Sequence, residues 1–347
     1  MAVFKPFKLE KEDGSGTAES DSFCIYREET EGCIQTGVVG CASIDEYGEK
    51  KIRKHENTRA DKVEAITLEY DKQGFIREPI FLTYYKRDNC LTNLISRYAE
   101  THPCDFSKSD KRGVKHTYWI VKDEKTIEDI KECLSSIDVL YIADGHHRCA
   151  SVYNVGMLRR ERDSEFTGEE EFNYMLSAVF PHDELLLMEF NRGIRDLNGH
   201  SPQSLIRSIE NEGFSVTAMG NHIVKPKEKH EIIMTVEGQW YSIKSKEEIE
   251  ESDAVKSLDA TILQDRILEP VFGIHDPRTD KRLEFFGGIH STEELVSRLN
   301  DEIKIGFILY PVSIEDMFRV ADNDQVMPPK STWFEPKMGT DLFIRKI

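Results

Sequence analysis

An acid, a glycine, two histidines and an arginine stand together in the stretch Asp144-Gly145-His146-His147-Arg148. The apolar run before it, residues 139–143, predicts a short buried strand, and the residues after it predict a helix. A strand that turns into a helix through glycine points free backbone N–H groups and the positive end of the helix dipole at one spot, which suits phosphate. With an arginine, two imidazoles and a carboxylate added, this spot could bind a nucleotide and handle a proton.

Other interpretations of this stretch are open. Asp144 could cap the helix, but a cap does not need His-His-Arg behind it, so we favour a functional role. Asp144, His146 and His147 could bind a metal, although adjacent histidines on a helix point about 100° apart and seldom reach one ion. Cys149 follows Arg148, where a thiol pKa could fall, but we expect it to pack in the core rather than to act as a nucleophile.

A second chemical segment, Lys54-His55-Glu56-Asn57-Thr58-Arg59, precedes a predicted helix. Taken alone, a charged loop before a helix is most often a solvated cap. The functional interpretation makes Glu56 a base and Arg59 an anion ligand. The pattern lacks the second histidine of the His-Glu-x-x-His metalloprotease motif, so that class is excluded.

Three later segments carry cations or hydroxyls. The segment Asn191–Gly199 could be a surface loop with an internal Arg–Asp pair or a ligand contact. The segment His275–Arg282, with Arg278 and Arg282, could hold phosphates or be an ordinary charged turn. In Met327–Lys337, two prolines stiffen a loop that presents Lys330, Ser331 and Thr332, as binding loops often do; a proline-braced crossover is an equal alternative.

Composition limits the class of protein. The chain has 347 residues, 39% hydrophobic and 32% charged, with a net charge of −18. A general nucleic-acid binder needs a basic footprint, so we expect no nucleic-acid partner. Without an apolar run of about 18 residues or a signal peptide, we expect no membrane span and a cytoplasmic location. Seven scattered cysteines without a Cys-x-x-Cys pair predict free thiols rather than a disulfide framework.

Helical and strand patterns alternate along the chain. They predict an α/β (or α+β) protein with mixed sheets, in which Thr126 is the N-cap of a helix over residues 125–136. We expect a polar N-terminal segment over residues 1–22 and a motif-bearing α/β domain over 23–165. A second α/β portion over 166–347 would contribute binding loops to the same site. The chain has no P-loop, no Gly-x-Gly-x-x-Gly and no Gly-x-Ser-x-Gly elbow.

Together these motifs resemble the domain of unknown function 1015 family, in order, from about Cys24 to Ile347. Members usually carry a longer N-terminal region. Phe4-Lys5-Pro6-Phe7 resembles its start, and Gly14-Ser15-Gly16 stands where the remainder would be. The blocks that carry the resemblance are residues 143–148, 54–59, 191–192, 276–282 and 327–337.

The motif Asp-Gly-His-His-Arg is also similar to the phosphate-binding turn of the ParB–sulfiredoxin superfamily, which includes free-serine kinases. This resemblance implies a ParB–sulfiredoxin-like nucleotide-binding core. In those kinases a glutamate upstream of the turn acts as base, and Glu56 stands in that order here. The net charge fits ParB-type DNA binding poorly, and His146 stands where sulfiredoxin has a cysteine, so the resemblance favours the kinase branch.

The function that we predict is therefore a phosphotransferase that uses ATP or ADP and Mg²⁺, with free L-serine as the leading acceptor. Glu56 would accept the hydroxyl proton. Gly145, His146 and His147 would cradle phosphates, and Arg148 would neutralise charge on the transferred group. Asp144 would hold Mg²⁺. Secondary anion contacts would come from Arg59, Arg278, Arg282 and the loop with Lys330, Ser331 and Thr332.

Two alternatives remain open from the residues alone. One is a metal-dependent phosphohydrolase that uses Asp144, His146 and His147. The other is a non-catalytic nucleotide-binding regulatory protein. The sequence identifies neither the acceptor, nor the choice between ATP and ADP, nor the oligomeric state.

Overall fold

A computed structural model describes residues 3–10, 20–163, 165–299, 301–339 and 342–347. The chain divides into two compact units. One comprises Met1–Leu186 together with Pro336–Ile347, and the other comprises Leu187–Glu335. The segment Gly14-Ser15-Gly16 lies outside the described residues.

The first unit is built on a nine-stranded mixed sheet. Most neighbours are antiparallel, but two pairs are parallel: Ile52–Arg53 with Leu140–Asp144, and Ile80–Tyr84 with Tyr174–Pro181. The predicted mixed α/β class is therefore confirmed. The strand order is Ile52–Arg53, Leu140–Asp144, Ile80–Tyr84, Tyr174–Pro181, Cys33–Ser43, Phe23–Thr30, Lys115–Val121 and Phe106–Ser109, with Phe4–Lys5 also paired to Cys33–Ser43.

The strand Tyr174–Pro181 explains why the first unit extends past residue 165. All eight of its residues are buried, and it pairs with Cys33–Ser43 on one side and Ile80–Tyr84 on the other. A strand inside a sheet cannot belong to a separate unit, because its backbone hydrogen bonds are shared with both neighbours. A further short pair, Phe75–Ile76 with Arg345–Lys346, joins the C-terminal segment to this unit.

Part of the polar N-terminal segment belongs to the core of this unit. Phe4–Lys5 pairs with Ala42 and Cys41, and Phe7 forms a bridge to Ser22. Phe4, Phe7 and Leu9 are buried. These apolar side chains contribute to packing although the segment as a whole is polar.

Helices cover the sheet of the first unit where their apolar faces repeat every three to four residues. The helix over 124–135 begins one residue earlier than predicted. Its N-cap is Asp123, whose carboxylate accepts the N–H of Thr126 at 2.8 Å, so the assignment of Thr126 as the cap was wrong. The helices are Ile44–Gly48, Ala60–Gln73, Cys90–Thr101, Glu124–Ser135 and His146–Arg162, with short 3₁₀ turns at Glu171–Asn173 and His182–Glu184.

One pair of cysteines forms a disulfide, contrary to the expectation of free thiols. Cys90 and Cys133 lie on two neighbouring helices with their Cα atoms 5.8 Å apart. They are 43 residues apart in the sequence, and only helix packing brings them together. Cys24, Cys41 and Cys149 are buried free thiols.

The second unit has a six-stranded sheet in which every pair is antiparallel. The predicted hairpin turn at Glu237-Gly238 is confirmed. The strands in sheet order are Phe214–Gly220, Gln239–Ser245, Glu231–Val236, Ile305–Ile308, Phe190–Ile194 and Leu283–Gly287. The helices are Pro202–Asn211, Asp259–Leu263, Glu269–Phe272, Ser291–Ser297 and Ile314–Asp322, with a π-helical turn at Gln264–Leu268. Short strands at Leu186–Met188 and Trp333–Glu335 pair with each other.

Among the described residues, no helix combines the length and the apolar composition that crossing a bilayer requires.

The segment that begins at Asn191 was expected as a surface loop or a ligand contact, and the structure corrects this. Asn191 lies in the buried strand Phe190–Ile194 and is fully buried. Its amide group donates to the hydroxyls of Ser291 and Thr292 at 3.1 Å each and accepts the N–H of Leu309 at 3.2 Å. Asn191 therefore joins three elements of the second unit.

We expect Asn191→Ala to lower the free energy of unfolding of the second unit by about 2–3 kcal/mol, because the substitution leaves buried hydrogen-bonding groups without partners. Asn211→Ala, at an exposed position on the helix Pro202–Asn211, should change stability by less than about 0.5 kcal/mol. Urea denaturation followed by circular dichroism measures both. Equal effects of the two substitutions would contradict the structural role of Asn191.

Candidate functional site

The predicted strand–turn–helix is present. The motif strand, Leu140–Asp144, runs into Gly145, and the motif helix, His146–Arg162, follows at once. Gly145 is the N-cap residue with φ 96° and ψ 28°, and no side chain caps the helix. Asp144 is therefore not the helix cap. The first N–H groups of the helix have no intrahelical partner, which is the requirement for an anion site.

Glycine is needed at position 145 for two reasons. Its φ of 96° lies in the left-handed region that side chains rarely adopt. A Cβ atom there would also lie 3.0 Å from Nη2 of Arg148. The turn therefore depends on the absence of a side chain.

The loop with Glu56, residues 54–59, comes from the strand next to the motif strand. Ile52–Arg53 pairs in parallel with the motif strand, in the register Ile52 to Leu140 and Arg53 to Tyr141. The carboxyl ends of parallel neighbours meet at the same edge of a sheet. The sheet therefore places the Glu56 loop beside the Gly145 turn.

The imidazole of His146 holds one end of this loop. The ring is buried, and its Nε2 accepts the backbone N–H of His55 at 3.5 Å. Burial lowers the pKa of His146 well below its ordinary value, so the ring is neutral. Since Nε2 accepts, the proton is on Nδ1, which lies 3.9 Å from Oε2 of Glu56. The Nδ1–H of His146 thus lies next to the carboxylate of the candidate base, beyond hydrogen-bond distance.

The imidazole of His147 holds the other end of the loop. Its Nε2 accepts the backbone N–H of Arg59 at 3.1 Å. The two adjacent histidines point in different directions, as the geometry of a helix predicts, and each one binds the loop. Their side chains thus position Glu56, and the backbone N–H groups of the helix turn are the ones that face the anion site.

His55 completes the support of the loop. Its buried ring packs edge-on against the ring of His146, with centroids 4.5 Å apart. Burial lowers the pKa of His55 to about 4, despite the opposing effect of Asp144. The pair of neutral rings is therefore stable only while both remain unprotonated.

Arg148 lies between two carboxylates. Its Nη1 is 3.0 Å from Oε2 of Glu78, and its Nη2 is 3.3 Å from Oδ2 of Asp144. Nη1 also donates to the carbonyl of Pro79 at 3.0 Å. The guanidinium is therefore held in one orientation beside the turn. Glu78 has no feature in the sequence that would have marked it.

Lys337 is a second cation at the turn, and the sequence did not single it out. Its Nζ lies 3.7 Å from Oδ1 of Asp144. Lys337 belongs to the C-terminal segment of the first unit, and its only sequence signal is its position in the proline-rich block that ends at this residue. Asp144 therefore has a cation on each carboxylate oxygen.

Glu56 and Arg59 differ in their availability. The side chain of Glu56 is 43% exposed. The guanidinium of Arg59 is paired with Asp61 at 2.6 Å and is 65% exposed. Of the first-unit residues predicted for the site, the structure brings together Glu56, Arg59, Asp144, Gly145, His146, His147 and Arg148.

The described residues contain no group of three His, Cys, Asp or Glu side chains that could hold a metal ion. His146 and His147 are both turned toward the Glu56 loop. The metal site of Asp144, His146 and His147 weighed for a phosphohydrolase is thus not formed. Burial raises the pKa of the Cys149 thiol, and its Sγ packs 3.6 Å from the sulfur of Met175, so it is a core residue as expected.

The remaining candidates lie in the second unit. Arg282 is tied to Asp280 at 2.7 Å and donates to the carbonyl of Phe272 at 3.1 Å. Arg278 is exposed, and its backbone N–H donates to Asp276. Arg282 thus stabilises its own turn, and phosphate contacts by these two arginines stay a prediction.

Hydrogen bonds within the second unit hold the loop with Lys330, Ser331 and Thr332. The carbonyl of Lys330 accepts Nη2 of Arg192 at 3.2 Å, and Lys330 has a φ of 58°. The Ser331 hydroxyl is buried and donates to the carbonyl of Pro328 at 2.7 Å. Arg192 and this loop, singled out separately in the sequence, are in contact. That the loop binds the same ligand as the Gly145 turn stays a prediction.

The first unit is thus a mixed α/β unit in which an uncapped helix begins at a glycine turn beside a carboxylate and two cations. The family model described as "Protein of unknown function (DUF1015)" matches residues 12–261. This is more than half of the chain, and the chain belongs to this family. No curated protein matches the sequence.

Solved structures similar to this chain include a free serine kinase variant in complex with ADP, at 12% identity and a TM-score of 0.46, over 89% of this chain and 91% of that one. SbnI with a C-terminal truncation from Staphylococcus aureus is similar at 11% identity and a TM-score of 0.46, over 88% and 87%. A conserved hypothetical protein from Pyrococcus furiosus is similar at 11% identity and a TM-score of 0.40, over 89% and 94%.

We expect Gly145→Ala to cost about 1–2 kcal/mol of stability, because alanine is strained in the left-handed region. Gly168→Ala is the matched control, since Gly168 has a φ of 97° and open space around it. Both variants should lose similar stability in urea denaturation. Only Gly145→Ala should weaken the binding of ADP, measured by calorimetry, and equal ADP affinity in the two variants would exclude the turn as the phosphate site.

Stability should fall as the pH drops from about 6.5 to about 4. In this range the unfolded chain protonates His55 and the folded one does not, so the unfolded state binds more protons. The lowered pKa of His55 corresponds to a loss of up to about 3 kcal/mol in the free energy of unfolding at the acid end of this range. His55→Gln should flatten this dependence in urea denaturation, whereas the exposed control His102→Gln should leave it unchanged. A slope that His55→Gln leaves intact would contradict the neutral buried ring.

Proposed function

We propose that the first unit is a phosphotransferase that moves a phosphoryl group from ATP or ADP to a small hydroxylated molecule, with free L-serine as the first acceptor to try. One observation carries this proposal: the two motif histidines hold the Glu56 loop so that its carboxylate lies 3.9 Å from the ring of the first residue of the motif helix. A candidate base and an anion site thus share one edge of the sheet.

The nucleotide phosphates would bind at the N-terminus of the motif helix. The turn at Gly145 leaves the first backbone N–H groups without a capping side chain, and the helix dipole adds positive potential. Arg148 and Lys337 lie on either side of Asp144 and supply positive charge next to this turn. These groups could stabilise the negative charge of the transferred phosphoryl group, which is the main electrostatic task in this reaction.

Glu56 would act as the general base. The acceptor hydroxyl oxygen forms a new bond to the terminal phosphorus, the bond from that phosphorus to the bridging oxygen breaks, and ADP leaves from ATP or AMP from ADP. The hydroxyl proton passes to the Glu56 carboxylate. The ring of His146 holds the loop that carries Glu56 by accepting the backbone N–H of His55, so His146 is a positioning residue in this scheme.

Mg²⁺ fits the same turn through a single protein ligand. Asp144 is half-exposed at the end of the motif strand, and one carboxylate combined with phosphate oxygens and water suits this ion. When bound, Mg²⁺ would neutralise phosphate charge. The choice between ATP and ADP, and contacts from Arg59, Arg278, Arg282 and the Lys330 loop, belong to this proposal as secondary features.

The proposal is tested with the purified protein, ATP or ADP, Mg²⁺ and a panel of amino acids and small alcohols. Glu56→Gln should lower acceptor-dependent nucleotide consumption by about 10²–10⁴-fold while nucleotide affinity and thermal stability are kept, because only the base is removed. The matched control is Glu64→Gln, on the exposed face of the helix that follows the Glu56 loop, and it should retain full activity.

Glu56→Gln with wild-type turnover would exclude this carboxylate as the base. A protein that binds nucleotide but turns over no acceptor would be a nucleotide-binding regulatory protein instead of a kinase.

A further inference from the structure

A second concave site lies in the first unit. It is a cleft of about 640 Å³ between the hairpin that contains residues 106–116 and the C-terminal residues 337–339 and 342. We call it the cationic cleft, because four cationic side chains line it, whereas Asp110 supplies the one carboxylate that the described residues contribute to its lining. The cations are Lys108, Lys111, Arg112 and Lys337.

These cations are only partly neutralised. Arg112 pairs with Asp110 at 3.0 Å, and its Nη2 donates to the carbonyl of Lys337 at 3.2 Å. Lys108 and Lys111 are exposed and form no ion pair with any residue in the described part of the chain. In a protein with a net charge of −18, such a local excess of positive charge needs a reason. Binding of an anionic ligand would explain this excess of positive charge.

A buried histidine is a second observation that indicates a ligand in the cleft. His116 lines the cleft but is only 4% exposed, and its Nε2 has no hydrogen-bond partner among the described residues. The nearest group, Oδ2 of Asp110, is 3.6 Å away, which is too far for a hydrogen bond. A buried polar atom without a partner costs free energy, so a ligand atom that pairs with it would be stabilised.

The ring of His116 is fixed from behind. Its Nδ1 lies 2.7 Å from the oxygen of the Tyr26 hydroxyl, whose one proton is donated to the buried carboxylate of Glu28 at 3.0 Å, so Nδ1–H of His116 donates to Tyr26. The backbone N–H of Gly339 donates to the same hydroxyl at 3.1 Å. A Cβ atom on Gly339 would lie 3.3 Å from Nδ1 of His116 and closer still to the side chain of Leu342, so a side chain here would crowd both residues. The unpartnered Nε2 is thus held in place before any ligand binds.

Lys337 links the cleft to the Gly145 turn. The same side chain that lines the cleft has its Nζ 3.7 Å from Asp144. A molecule in the cleft would therefore be separated from the proposed phosphate site by no more than the length of the Lys337 side chain.

We infer that the cationic cleft binds a small hydroxylated anion, with a carboxylate or a phosphate group held by Lys108 and Lys111 and a hydroxyl that donates to Nε2 of His116. This inference rests on the proposed function only in making that anion the phosphoryl acceptor. The volume is typical of sites for metabolites of intermediate size and leaves room for an anion larger than free serine.

Two probes test the cleft without any turnover: citrate, a hydroxylated tricarboxylate, and glycerol 3-phosphate. Each is titrated calorimetrically into the full chain, with and without ADP. Lys111→Glu should weaken binding by more than about tenfold, since it replaces an attraction with a repulsion. The matched control is Lys115→Glu on the same hairpin, which makes the same change of net charge outside the cleft. It should weaken binding by less than about twofold.

The probe that binds more tightly identifies the anionic group. A second readout locates the ligand: the ring carbon resonance of His116 in ¹³C-histidine-labelled protein should shift with the probe in the wild type and in Lys115→Glu, but not in Lys111→Glu. No binding of either probe, or equal weakening by both charge reversals, would overturn the inference. Because catalysis is not measured, these outcomes are independent of the Glu56 test.

Discussion

Two hydrogen bonds from backbone N–H groups to imidazole nitrogens hold the candidate site together. His146 and His147 each accept from the loop that carries Glu56, one at the N–H of His55 and the other at that of Arg59. A ring nitrogen can accept only when it is unprotonated, so burial, which keeps His146 and His55 neutral, is a condition for the geometry. The adjacent histidines therefore hold the loop in place.

Charge is distributed unevenly over this acidic chain. Around the turn, Asp144 is balanced by Arg148 and Lys337, and Arg148 is shared with Glu78. Such a network keeps cations beside an anion site without leaving them unpaired in the absence of ligand. Binding of a phosphate group would then exchange one set of partners for another, which moderates its affinity. In the cationic cleft, Lys108 and Lys111 have no carboxylate partner among the described residues, so a ligand there would gain more of their attraction.

The local parts of this structure follow from the sequence, and the non-local parts do not. The strand and helix on either side of Gly145 were predicted because their apolar periods and the glycine are local signals. The position of Glu56 beside the turn depends on the parallel pairing of Ile52–Arg53 with the motif strand, which no local pattern encodes. The contact of Lys337 with Asp144 and the disulfide at Cys90 likewise depend on how distant segments pack. The buried strand at Asn191 was mistaken for a loop because its polar residues satisfy their hydrogen bonds inside the second unit.

The first unit is discontinuous in the sequence, and this affects the order in which it can form on the ribosome. Its closing strand, Arg345–Lys346, pairs with Phe75–Ile76, and the buried guanidinium of Arg345 donates to the carbonyl of Tyr174. Leu187–Glu335 must leave the exit tunnel before these contacts exist. A nascent chain can therefore complete the second unit while the first still lacks Lys337 and the wall of the cleft that it helps to form. Until the C-terminal segment has been translated, the nascent chain lacks Lys337, the residue that borders both the Gly145 turn and the cationic cleft.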